Sequence, residues 1–143
     1  MHKKKSVKPF LVVTGVLLAA AINFPEYLMG SPATLKNLLI TLGYLGMWIV
    51  IPTREFSPGG RFSFMLFWGG TLLIALVTAW VSVTGGSAVW AILPALPLLG
   101  PWYGLMFFAS DYSVMAALVA LFSLGMAVKG FSGFRKKDPG SNA

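Results

Sequence analysis

Residues 88–109, AVWAILPALPLLGPWYGLMFFA, are the stretch that decides how this chain folds. They carry no charge, and they are numerous enough for a helix to cross the ~30 Å hydrocarbon core of a bilayer. They also contain Pro94, Pro97 and Pro101, and proline lacks the backbone N–H that an α-helix uses. The stretch therefore predicts an apolar segment whose helix is interrupted between residues 93 and 103. Backbone carbonyls freed there are expected to face neighbouring helices rather than lipid.

Four further segments around this stretch are long and apolar enough to cross a bilayer, namely residues 10–29, 32–51, 62–83 and 112–131. Across all 143 residues, 57% are apolar and only 10% are charged, whereas a soluble domain has roughly 25% charged residues. That composition excludes a soluble domain and a disordered chain. It predicts an all-α fold, a polytopic integral membrane helix bundle in a single domain, with a polar tail at 132–143.

The charged residues are concentrated at the two tails. The net charge is +7, from 11 Lys and Arg against 4 Asp and Glu, and only six of these charges fall between residues 9 and 128. Because the basic residues flank apolar segments and do not form a stripe among exposed aromatics, nucleic acid is excluded as a partner. The pattern is instead typical of tails held on the cytoplasmic side of an anionic lipid surface. We predict a multi-pass protein of the cell membrane whose partner is the lipid bilayer and whose N-terminus is cytoplasmic.

The orientation rule bears on residues 88–109. If they cross the membrane fully, the chain has five spans and the basic C-terminal tail lies outside, against the rule that favours positive charge inside. If they enter and return, the chain has four full spans and both basic tails lie inside. We favour four spans with a broken or re-entrant segment, and five spans is the alternative. A secretory signal peptide ending near Ala21 is a second alternative, for the first span only.

Helix boundaries follow from Pro, Gly and capping residues. Pro25 is expected to end or bend the first helix. Ser31, followed by proline, predicts the start of the second helix. Residues 57–60, SPGG, predict a turn within the loop before the third span. Gly85 and its neighbouring glycine predict the next turn, and Ser110 or Asp111 is expected to cap the last helix.

Two polar residues near the end of the first span are candidate functional residues. Glu26 is either a proton or cation site within the membrane or an ordinary acid at the membrane interface. Asn23 precedes it by three residues, so both side chains can share one helical face. Asn23 can join Glu26 in a polar site, or it can hydrogen-bond a neighbouring helix.

Charged loop residues offer weaker candidates. Arg54, Glu55 and Arg61 lie near Gly59-Gly60, which would allow close approach of a phosphate or a lipid headgroup. The alternative is that these residues only supply the positive charge of a cytoplasmic loop. Asp111 is either an acid facing the membrane or, as we favour, a helix cap.

The broken stretch itself provides the remaining candidates. Pro94, Pro97 and Pro101 would share one helical face, and the segment could line a pore with its freed carbonyls or simply pack as a kinked helix. Gly100 and Gly104 form a small-xxx-small pair, as do two alanine pairs, Ala75 with Ala79 and Ala116 with Ala120. Such faces allow helices to approach closely within one chain or between chains.

Catalysis and metal binding are not expected. The chain has no cysteine, and its single histidine is His2, so no haem, copper, zinc or iron–sulfur site is predicted, and no catalytic, cofactor or metal residues. We therefore predict a small non-enzymatic membrane protein with a structural or accessory role, either as a homo-oligomer or as a subunit of a larger membrane complex. The alternative is a small oligomeric transporter or channel whose site comprises Asn23, Glu26, Pro94, Pro97, Gly100, Pro101 and Gly104.

Overall fold

A computed structural model of the chain describes residues 8–51, 56–109 and 111–135. Nearly all of these residues are helical, and none of them lies in a strand. The α-helices are α1 (Lys8–Met29), α2 (Leu35–Val50), α3 (Pro58–Thr84), α4 (Ile92–Leu99) and α5 (Tyr112–Arg135). A 3₁₀ turn at Val89–Ala91 precedes α4, and a 3₁₀ helix at Gly100–Phe107 follows it. We refer to Val89–Phe107 as the broken segment. Several residues considered above lie outside the described part: His2, Arg54, Glu55, Ser110 and the tail beyond residue 135.

Consecutive long helices run antiparallel to each other. In the first hairpin, Met47 of α2 packs against Gly15 of α1. Trp48, near the end of α2, packs on Phe64 at the start of α3, with ring centroids 5.7 Å apart. The pair α3 and α5 is also antiparallel, because Gly130 near the end of α5 packs on Phe64. The C-terminus of α3 and the N-terminus of α5 therefore lie at the same end of the bundle.

The broken segment leaves this end and returns to it. At its deepest point it reaches the middle of the bundle, where Leu98 approaches Gly70 of α3 and Trp102 contacts Trp68. The end that the broken segment leaves and returns to is marked by the turns at Gly30 and Gly85, and we call it the turn end. Among the residues that the structure describes, four basic ones lie at the opposite end, which we call the basic end: Lys8, Arg61, Lys129 and Arg135.

The predicted interruption of the helix is confirmed, since α4 ends at Leu99 and the chain continues as a 3₁₀ helix from Gly100. Because the helix is interrupted, the three prolines do not share one continuous helical face. Pro94 lies in the first turn of α4 and Pro101 in the first turn of the 3₁₀ helix, where a missing N–H costs little. Pro97 alone lies further inside a helix, and it is exposed whereas Pro101 is buried.

The first turn of the chain differs from the prediction. The first helix continues through Pro25 to Met29, as the predicted span 10–29 requires, so of the two alternatives at Pro25 an end of the helix is wrong. It closes with a Schellman motif, in which Gly30 has a φ of 59° and the Ser31 N–H donates to the Glu26 carbonyl at 3.1 Å. Because Ser31 is occupied in this motif, it does not cap α2.

The cap of α2 is Thr34, not Ser31. Its backbone N–H and its hydroxyl both donate to the Asn37 side-chain oxygen, each at 2.7 Å. The helix has 16 residues, about 24 Å at 1.5 Å per residue, and so is shorter than the predicted span 32–51. Four other stretches are long and apolar enough to cross a membrane: Phe10–Met29, Gly59–Thr84, Val89–Phe107 and Tyr112–Phe131.

Two later caps complete the chain. Residues 57–60 do not form a loop turn as predicted, because the Ser57 hydroxyl accepts the Gly60 N–H at 3.1 Å and α3 begins at Pro58. The predicted turn at Gly85 is confirmed, with φ 64°. Asp111 caps α5 as favoured, since its carboxylate accepts the Ser113 N–H at 2.8 Å.

Some polar side chains lie inside the bundle, and many large apolar side chains lie on its surface. Asn23, Asn37 and Thr41 have no exposed surface, whereas large apolar side chains are exposed on every long helix. The middle of the bundle is an aromatic cluster made by Tyr44, Trp48, Trp68, Trp102 and Phe122. The small residues Ala75 and Ala116 are fully buried, consistent with close packing of α3 against α5 within one chain.

Candidate functional site

A buried polar cluster connects the broken segment to α1 and α2. Its side chains are polar but uncharged, and each is completely buried. They meet the backbone at the start of the 3₁₀ helix, where its first turn passes between the two helices. We call the cluster the polar junction; it consists of the side chains of Asn23, Asn37 and Thr41 and the backbone of Gly100, Pro101 and Gly104.

Asn23 of α1 uses both ends of its amide. Its Nδ2 donates to the Gly100 carbonyl at 3.2 Å and to the Pro101 carbonyl at 3.4 Å. Its Oδ1 accepts from Asn37 Nδ2 at 3.1 Å. The orientation of this amide is therefore determined by its partners on two different elements.

Thr41 of α2 hydrogen-bonds both a carbonyl and an N–H of one 3₁₀ turn. Its hydroxyl donates to the Pro101 carbonyl at 2.7 Å and accepts the Gly104 N–H at 3.0 Å. A single hydroxyl thus bonds a backbone acceptor and a backbone donor. The expectation that carbonyls of the interrupted helix are covered by neighbouring helices holds for Gly100 and Pro101.

Gly104 is required by the close approach of the broken segment to α2. A Cβ placed on it would overlap the backbone carbonyl of Asn37 and the Thr41 hydroxyl. Gly100 is less restricted, since a Cβ there would meet the nearest atom, the Cα of Ala20, at 3.7 Å. Of this small-xxx-small pair, only Gly104 sits where backbone contacts backbone.

The rim of the junction lies at the turn end and holds the candidate acid. Glu26 Oε1 accepts from Lys36 Nζ at 2.6 Å, and Lys36 is half exposed. Tyr103 packs edge-on against Tyr27, with centroids 5.6 Å apart, and its hydroxyl donates to the Ser31 carbonyl. These contacts connect the broken segment to the α1–α2 turn as well as to the helices.

The hydrogen bonds of the junction favour the second alternative for Asn23, a hydrogen bond to a neighbouring helix, over a polar site shared with Glu26. The side-chain amide and hydroxyl groups bond each other and the backbone, and none of the three side chains titrates near neutral pH. The structure brings Asn23, Gly100, Pro101 and Gly104 together and places Glu26 at their rim. Pro94 and Pro97 lie outside the junction. Pro94 is in the first turn of α4, and Pro97 is exposed.

Sequence reasoning missed Asn37 and Thr41. The available signal was their spacing, since residues four apart share one face of a helix that is otherwise apolar. Thr34 and Asn37 also have the three-residue spacing of a capping box.

Of the other charged candidates, the two that the structure describes, Arg61 and Asp111, lie apart from the junction. Arg61 is in the first turn of α3 at the basic end. The hydrogen bond from Ser113 lowers the pKa of the Asp111 carboxyl below its usual value. Within the part of the chain that the structure describes, no three His, Cys, Asp or Glu side chains come together as a metal site would require.

Comparison of the chain with protein-family models, with curated proteins and with solved structures found no match.

Proposed function

We propose that this chain is a non-enzymatic, multi-pass protein of the cell membrane with a structural or accessory role. The observation that carries the proposal is the distribution of side chains, with uncharged polar groups buried and large apolar groups exposed along every long helix. In water such continuous apolar surface would be far larger than a soluble monomer tolerates. In a bilayer the same surface faces lipid, and the buried side chains of the polar junction bond each other and the backbone.

The contacts support four full crossings, by α1, α2, α3 and α5, with the broken segment re-entrant from the turn end. The described charges support a cytoplasmic basic end: Lys8, Arg61, Lys129 and Arg135 lie there. The turn end carries Glu26, Asp111 and Lys36 instead. This asymmetry follows the rule that places Lys and Arg inside.

The test of this topology uses the absence of cysteine in the sequence. A single cysteine introduced by Ser87→Cys, in the exposed turn after α3, should react with a membrane-impermeant maleimide added to intact cells. Reporters fused at Met1 and Ala143 should both be active only in the cytoplasm. A C-terminal reporter active only outside would overturn the re-entrant segment and restore five spans.

The structural or accessory role is supported by the chemistry of the polar junction, whose bonds connect three elements. A protein with this role is expected to act in a homo-oligomer or with a partner in a larger membrane complex. Cross-linking in native membranes, followed by purification, should recover it in one fixed stoichiometry. Recovery of a monomer without any partner, under conditions that preserve known complexes, would count against the proposal.

A second candidate, a transporter or channel, has one observation in its favour: the broken segment reaches the middle of the bundle from the end where Glu26 lies. If Glu26 is a proton or cation site, Glu26→Gln should abolish pH-dependent flux in vesicles. If it is an interfacial acid, that change should leave expression and folding nearly unchanged. Absence of flux with the unmodified protein would remove this candidate.

A further inference from the structure

A groove of about 690 Å³ runs between α1 and α3 at the basic end. Its walls are aliphatic on one side and aromatic on the other: Val13 and Leu17 come from α1, and Phe64 and Phe67 from α3. Trp48 of α2 also lines it and stacks on Phe67, with centroids 5.3 Å apart. The volume is in the range of sites that hold small molecules.

The groove follows from how the helices divide their packing. The main partners of α3 are α5 and α4, whereas α1 packs on α2 and on the broken segment. As a result α1 and α3 are not packed closely against each other, and the groove lies between them. Val13 and Leu17 are each more than half exposed, so the groove is open along the side of the bundle.

One end of the groove is polar. Ser57, Gly60 and Ser63 also line it, at the first turns of α3. An N-terminal helix turn favours negative charge, and the cationic Arg61 follows Gly60 directly.

We propose that the groove binds one acyl chain of an anionic phospholipid, with the phosphate at the first turn of α3 beside Arg61. The inference rests on the proposed membrane location. It follows from the shape and charge of the site: an apolar channel open to the side, which ends at two serine side chains with Arg61 next in sequence to Gly60, matches an amphiphile with a negative headgroup. A second copy of the chain fits less well, because symmetric contact at this end brings like charges together.

The test uses two adjacent residues of α1 with nearly equal exposure. Leu17, 58% exposed, lines the groove, whereas Leu18, 56% exposed, does not. The full chain is reconstituted with phosphatidylglycerol or with phosphatidylcholine and released from detergent in a native mass spectrometer. We expect one retained phosphatidylglycerol per chain for the unmodified protein and for Leu18→Trp. Leu17→Trp, which fills the groove, should lose the retained lipid.

A second pair of variants tests the headgroup. Arg61→Gln should weaken binding of phosphatidylglycerol about fivefold, the factor expected for one cation close to an anionic lipid. Lys129→Gln makes the same charge change at the same end, away from the groove, and should leave binding unchanged. A charge-dependent loss specific to Arg61 supports the phosphate position; equal effects of both variants would overturn it.

Alkaline extraction of membranes distinguishes failure of the groove proposal from failure of the membrane proposal. If all variants remain in the membrane and Leu17→Trp retains as much lipid as Leu18→Trp, the bound lipid is annular and the groove proposal is overturned while the membrane proposal stands. If the unmodified protein is itself extracted, the membrane proposal fails. Equal retention of phosphatidylcholine would contradict the anionic headgroup. Should Leu17→Trp not fold, motional restriction of a spin-labelled phosphatidylglycerol by the unmodified protein, and its absence in Val13→Trp, provides the same decision.

Discussion

Helix α1 makes contacts of opposite kinds at the two ends of the bundle. At the turn end, Asn23 bonds α2 and the broken segment through both atoms of its amide, and Gly104 brings backbone into contact with backbone. At the basic end, Val13 and Leu17 of the same helix border an open groove. One end is closed by directional polar contacts, and the other leaves apolar surface without a protein partner.

This difference indicates which forces are available to a bundle of this composition. In the membrane location that we propose, apolar side chains cannot select one neighbour over lipid, because lipid tails are equally apolar. Hydrogen bonds and small residues can, since they require particular partners at particular distances. The polar junction therefore determines where the broken segment lies, whereas the groove tolerates variation in what fills it.

Gly104→Ala should have the largest effect, since it tests the tightest contact of the turn end. The new Cβ meets the Asn37 backbone, which cannot move without displacing α2, so we expect a loss of about 3 kcal/mol in the free energy of unfolding. Denaturant titration in detergent micelles measures it. The control is Gly69→Ala, where a Cβ meets nothing within 4 Å and helix propensity should leave stability equal or slightly higher. Equal losses in both would mean that the junction is not closely packed.

Thr41→Val should have the next largest effect. Valine keeps the shape but removes the hydroxyl that bonds Pro101 and Gly104, so two buried backbone groups lose a partner at a cost of about 2 kcal/mol. The matched control is Thr71→Val, because the equally buried Thr71 bonds only the Phe67 carbonyl of its own helix. If the two valine variants unfold at the same denaturant concentration, the hydroxyl does not hold the broken segment.

Asp111→Ala should have a smaller effect, and one that depends on pH. The Ser113 bond lowers the pKa of the folded carboxyl, so its stabilisation is fully present above the usual pKa of ~3.9 and is lost as pH falls through the lower folded value. The difference in Tm between the unmodified protein and Asp111→Ala should therefore shrink as the pH is lowered below 4. A difference that grows with acid would contradict this sign.

Val13→Phe should have the smallest effect on stability, although it adds more atoms than Gly104→Ala, Thr41→Val or Asp111→Ala. The groove has room for the ring, so the free energy of unfolding should change by less than about 0.5 kcal/mol. The comparison with Gly104→Ala, which adds one carbon, is made under the same denaturant conditions. A loss comparable to that of Gly104→Ala would show that the groove is closed in solution.

Much of the fold was predictable because it depends on local composition. The apolar lengths predicted the helices, and the prolines near Gly100 predicted where α4 gives way to a 3₁₀ helix. Asn23 was recognised as a polar residue in an apolar helix. Asn37 and Thr41 were not, because their partners lie on other elements: Asn37 donates to Asn23 of α1, and Thr41 bonds the Pro101 carbonyl and the Gly104 N–H, sixty residues or more away in sequence.

The two Ser-Pro pairs show which features of the fold follow from local sequence and which depend on tertiary contacts. The sequence determined that the chain is helical and apolar, and that the helix breaks within residues 88–109. It could not distinguish Ser57, which caps α3, from Ser31, which ends the α1 turn and leaves Thr34 to cap α2. The Ser31 N–H bonds the Glu26 carbonyl, and its own carbonyl accepts the Tyr103 hydroxyl from the broken segment. Both serines satisfy the local requirements of a cap, so the choice depends on partners that only the folded chain brings within hydrogen-bonding distance.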